Sequence, residues 1–184
     1  MSEAEKIRVS KLDAGRRQLD SAIEMWVADG DPVSVHTLAC ASHQIIHDIN
    51  RKKGNRDLLF DSLVIKEEYR SEFLKVVRKD MNFFKHAEED PEAITEFIPR
   101  SSEMFILFSI LGLELLGVKL NDIEATFMFW VYFHNPRWLT EAGRKAFIDR
   151  IPVEHLTEIQ NVDKSDFFKI VLRIRAEAQF KLNT

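Results

Sequence analysis

Cysteine is almost missing from this chain of 184 residues. The single Cys40 excludes a disulfide framework and any zinc or iron–sulfur site built from several thiolates. Glycine (6) and proline (5) are scarce as well. Gly112 and Gly117 fit neither a GxGxxG nor a Walker pattern, so no phosphate-cradling loop is present. No GxSxG elbow occurs, and no order of Ser, His and Asp suits a hydrolase triad. Alternating β-branched runs bounded by turns are lacking, which argues against strands. Positive charge is not in excess. The 26 Lys and Arg stand against 30 Asp and Glu, a net charge of −4, the wrong sign for a general nucleic-acid coat protein. The longest apolar segment, 104–117, carries Glu114 and falls short of the ~20 residues a bilayer needs. The opening Met1-Ser2-Glu3-Ala4-Glu5-Lys6 has no apolar core of a signal peptide. A cytoplasmic location without a membrane partner is therefore expected.

What remains is ordinary globular composition, 45% hydrophobic and 30% charged. A chain of this length can bury a core without covalent staples. No composition shift, repeat or linker divides it, so residues 1–184 are expected to form one all-α domain of seven or eight helices. Helices are expected over 5–28, 32–53 (Asp31 as N-cap, Pro32 at the first position) and 66–86. Ser101 or Ser102 is expected to cap an apolar helix over 103–116, the buried centre of the bundle. Asn121 and Glu124 form a capping-box pattern before an aromatic helix ending at 134. Thr140, Pro152 and Asp163 open three more. Residues 58–65 read as a short apolar connector or helix, and the acidic run 88–92 as a solvated loop. The aromatic run from Phe127 to Phe133, with Trp138 beyond it, is denser than one helix face can bury. Part of it is expected to form a dimer interface.

Two places carry candidate chemistry. His36, Cys40, His43, His47 and Asn50 recur at helical intervals and fall within an arc of ~80° on one helix. Apolar Val35, Leu38, Ile45, Ile46 and Ile49 lie on the adjoining arc, which places the stripe at the edge of the core. His43 and His47, one turn apart, could share a transition metal, with His36, His86, Glu114 or His134 completing the set. Yet Gln44 follows His43, so this is no HExxH motif. The simpler reading is a hydrogen-bonded seam between helices, with Cys40 a small buried side chain. A Cys40–His43 nucleophile pair is the remaining alternative.

The second place is Arg78-Lys79-Asp80-Met81-Asn82-Phe83-Phe84-Lys85-His86-Ala87. Lys79, Asn82 and His86 line up along one side of a helix, and a cation, an amide and an imidazole in a row suit phosphate binding and proton transfer. The simpler reading is a solvated edge with a histidine near a helix end, where the helix dipole favours its charge. The segment Asn82-Phe83-Phe84-Lys85-His86-Ala87 resembles the Asn-x-x-Lys-His ending of some bacterial helical proteins related to the HEPN superfamily, and the whole chain resembles a bacterial family of unassigned function that carries it. The superfamily resemblance covers roughly residues 5–117. It implies an all-α bundle, often dimeric, among whose members are ribonucleases, antiviral effectors and nucleotide-binding partners of nucleotidyltransferases. Their signature is an arginine followed shortly by a histidine. His86 takes the histidine position, Lys79 stands where the arginine belongs, and Arg78 lies one step too far. Lysine lacks the planar guanidinium fork, so the resemblance implies binding rather than cleavage.

Three functional readings are open. One is a non-catalytic binding or assembly module, HEPN-like, a homodimer with a nucleotide or RNA ligand. Another is a metal-dependent enzyme on the histidine stripe. The last is a divergent, metal-independent ribonuclease using Lys79, Asn82 and His86. No DNA-binding motif is seen, and no cofactor is expected unless the stripe holds a divalent transition metal.

Overall fold

The computed structural model describes residues 5–56, 58–61, 66–149 and 151–182, with side chains through 177. Over these residues the protein is an all-α bundle without strands. Its helices are α1 Lys11–Val27, α2 Pro32–Lys52, α3 Glu67–Phe83, α4 Ser101–Leu115, α5 Asp122–His134, α6 Glu141–Phe147, α7 Val153–Asn161 and α8 Lys164–Leu182, with a 3-10 turn at Pro136–Trp138. Of the connector expected over 58–65, residues 62–65 lie outside the described residues. No described helix is long and apolar enough to cross a membrane.

The helix starts follow their caps. Asp31 accepts from the Ser34 amide at 2.8 Å with Pro32 behind it, and Asn121 and Glu124 close the expected capping box. α1 begins at Lys11 rather than near residue 5 because Ser10 and Asp13 form a capping box of their own. The expected caps of α4 are not caps. Arg100 holds the N-cap position without a side-chain bond, and both serines lie inside the first turn.

Contacts between side chains give the direction of each helix. Gly15 near the start of α1 meets Ile45 and Ile46 late in α2, so these two helices form an antiparallel hairpin. His36 meets Ser102 and Asn50 meets the Gly112 carbonyl, so α2 and α4 run parallel. Close approach needs small residues here. A Cβ on Gly112 would lie 2.5 Å from Ile46 Cγ2. α3 lies antiparallel on α2, with Phe84 against His36 and Arg78 toward the Phe60 ring. α5 and α8 are antiparallel, tied by Asp122–Arg175 at one end and Trp130–Phe167 at the other.

Leu19, Ile23, Ile46, Ile106, Ile110, Leu113 and Phe127 are fully buried where α1, α2, α4 and α5 converge. Each contributes ~1.5–3 kcal/mol of hydrophobic burial. The aromatic run of α5 is used inside the chain. Phe127 and Trp130 pack edge-on to Trp26 of α1, Trp130 and Phe133 meet Phe167 of α8, and Phe129 and Tyr132 meet Phe147 of α6. Trp138 is left half exposed.

Candidate functional site

All five residues of the stripe on α2 are buried, with His43, Cys40 and Asn50 at zero exposure. The stripe is not at the edge of the core. α3 and the turn at 58–61 cover it, and Phe60 fills the space between α2 and α3. The Phe60 ring stands perpendicular to His43 at 4.4 Å and receives the Arg78 guanidinium at 4.5 Å.

Each member of the stripe has a structural partner except one. His36 Nδ1 lies 3.1 Å from Ser102 Oγ, and its Nε2 lies 3.3 Å from Cys40 Sγ. A thiol that donates to Nε2 leaves Nδ1–H to donate to the serine, so one neutral tautomer satisfies both contacts. Burial lowers the His36 pKa, against the pull of Asp80, and pushes the Cys40 thiol up to about 12. Burial thus favours the protonated thiol of Cys40, which lies against His36 and not His43. Asn50 bonds the Ile46 and Gly112 carbonyls and accepts from Asn55. His47 Nε2 donates to Asp61 Oδ1 at 3.1 Å, while Asp61 Oδ2 holds the Leu58 amide.

The exception is His43. Among the described residues, neither of its ring nitrogens has a hydrogen-bond partner. Burial holds its pKa down at about 3, helped by His47 and Arg78. Its ring stacks on His47 with centroids 6.0 Å apart. The candidate third ligands do not join it. His86 and Glu114 are exposed, and His134 Nδ1 donates to the Trp130 carbonyl at 2.9 Å. Among the described residues, no group of three or more His, Cys, Asp or Glu side chains is placed to hold a metal ion.

The ridge on α3 lies in the open. Lys79, Asn82 and His86 are exposed and line a single cleft of about 780 Å³, with Phe83 in the same wall. α3 stops at Phe83, and the Lys85 and His86 amides both turn back to the Asn82 carbonyl at 3.1 Å. His86 therefore projects from the turn that closes the helix. The opposite wall is acidic, with Glu88, Glu89, Asp90 and Glu96. The first three belong to the expected solvated loop. They are exposed, but they share the cleft with the ridge. A second groove of about 430 Å³ runs along α3 between Ser71, Lys75, Arg78 and Asn82. Asn82 lines both. Arg78 Nε is buried and has no hydrogen-bond partner.

No family model, no curated protein and no solved structure matches this chain.

Three features of these surroundings are not visible in the sequence. Ser102, Asp61 and Phe60 complete the stripe from outside α2. The only local signal is the apolar stretch beginning at Leu58, and nothing in it points to a histidine.

Proposed function

We propose that the protein is a non-catalytic, HEPN-like binding module that takes a nucleotide on the exposed face of α3. The observation that carries this reading is the position of Asn82, shared by a cationic groove and a polar cleft. Lys75 and Arg78 supply charge and donors for a phosphate. The larger cleft falls in the ~300–1,000 Å³ range of small-ligand sites. Its carboxylates suit the N–H and O–H groups of a base and ribose, and Phe83 offers an aromatic surface. The same four carboxylates oppose a long polyanion, which favours a mononucleotide over RNA. The reading includes a homodimer, supported by Tyr69 and Val76, exposed two turns apart on α3. It also includes a cytoplasmic location, supported by the free thiol of Cys40.

Titration calorimetry with the four ribonucleoside monophosphates, at low and moderate salt, tests it. One of them should bind, more weakly as salt rises, and Lys75→Ala/Arg78→Ala should abolish binding while the helical circular dichroism stays intact. Absence of binding to all four, or equal binding by the variant, removes the reading. RNA cleavage in the presence of chelator that is lost in His86→Ala would replace it with the ribonuclease reading.

A further inference from the structure

A separate pocket of about 370 Å³ lies where the start of α4 meets the end of α5 and the 3-10 turn. It shares no lining residue with the α3 clefts, so its ligand is independent of the nucleotide reading. Its walls are mostly apolar, formed by Ile98, Met104, Leu107, Val131 and Trp138. Trp138 is 52% exposed. It is held on a rigid turn, because Pro136 fixes the backbone and the Trp138 amide bonds the Asn135 carbonyl at 2.9 Å. The turn thus sets the backbone position of Trp138 beside the pocket.

Two donors of the pocket, Arg137 and Ser101, have no acceptor among the described residues, while Asn135 donates to the Val131 carbonyl at 3.0 Å. Arg137 forms no ion pair or hydrogen bond with any other residue of the described chain. Arg100 approaches Glu103 only at 3.8 Å, beyond hydrogen-bond distance. Burial raises the Glu103 pKa above its usual value, against the pull of Arg100. Ser101 Oγ is buried and unpartnered, a rare condition in folded proteins. The amides of Ser101, Ser102 and Glu103 are taken by the carbonyls of Ile98, Pro99 and Arg100 at 3.0–3.1 Å. At these three positions an anion would meet side chains and not amides.

Two guanidiniums and a hydroxyl above an apolar chamber match a planar two-oxygen acceptor carried on a hydrocarbon body. We propose that this pocket binds a small amphipathic carboxylate, its acid group held by Arg100 and Arg137 with Ser101, and its aryl or branched apolar body placed between Trp138 and the aliphatic wall.

The test compares 4-phenylbutyrate with 4-phenylbutanamide, which differ in charge but share the body, by titration calorimetry on the full chain. The acid should bind about tenfold more tightly than the amide, the scale of one charge-assisted hydrogen bond. Arg137→Ala should erase that difference, and Trp138→Ala should weaken both ligands. Both residues are exposed, and unchanged helical circular dichroism confirms that each variant is folded. The proposal is overturned if neither ligand binds, if acid and amide bind equally, or if Arg137→Ala leaves acid binding unchanged. Tighter binding of phenyl phosphate than of the acid would also overturn it in favour of a phosphate site.

Discussion

Arg16 of α1 grips Glu124 of α5 at two points, Nε to Oε1 and Nη2 to Oε2, both at 2.7 Å. The carboxylate is fully buried and also accepts from the Asn121 amide at 2.6 Å. One side chain thus serves as helix cap and as the tie between two helices 108 positions apart. Arg16→Ala would strand that carboxylate in the interior. The expected loss is about 3 kcal/mol, the low end for a broken buried pair because Arg16 is itself partly solvated. Arg16→Met with Glu124→Gln should recover much of it. Denaturant unfolding of the three proteins checks this, and a loss under ~1 kcal/mol for the single variant would place the pair among weak surface bridges.

Acid should weaken the protein through His43. In the unfolded chain this imidazole takes up a proton below ~6.5. In the folded state burial postpones that to about 3. Stability is therefore complete above the unfolded value and declines as pH falls toward 3. The slope reaches ~1.4 kcal/mol per pH unit from this residue alone. His36, lowered by burial, acts in the same direction. Urea midpoints at about pH 7.5 and about pH 5.5 should show the decline, and His43→Leu should flatten most of it. An unaltered slope in the variant would mean that other groups govern the acid limb.

Gly112 and Gly143 should respond in opposite ways to alanine. At Gly112 the new methyl meets Ile46, Asn50 and Leu58 at 2.5–3.2 Å, so overpacking should cost ~1–3 kcal/mol. At Gly143 its nearest neighbour is 3.4 Å away, and α6 should gain up to ~1 kcal/mol in helix propensity. Melting temperatures should therefore move apart. A Gly112→Ala protein as stable as the parent would show that α2 and α4 can separate cheaply.

The local parts of this fold were legible because their causes are local. Asp31-Pro32 begins α2, Asn121 and Glu124 begin α5, and the spacing of His36 to Asn50 places all five on one face. The missed start of α1 was equally local, since Ser10 and Asp13 carry the same signal. What covers the stripe was not legible. Phe60, Ser102 and Asp61 arrive from elements whose approach depends on the packing of the whole bundle. The depth of the stripe in the core, which raises the Cys40 pKa, was hidden for the same reason. The ridge on α3 was readable as a line of residues, but the acidic wall facing it depends on how the chain folds back after His86.

The parallel pairing of α2 with α4 dictates an order of assembly. Antiparallel α1 and α2 meet through a tight turn, so their contacts form at low cost in chain entropy. Ser102 and Gly112 reach α2 only after loops of 66 and 62 residues have closed. Such a closure is slow because its entropic cost precedes any contact that offsets it. The expected early species is an α1–α2 hairpin whose histidine face is bare until α4 arrives. On that order, the face later sealed by Phe60 and Phe105 is left open to other chains until α4 docks.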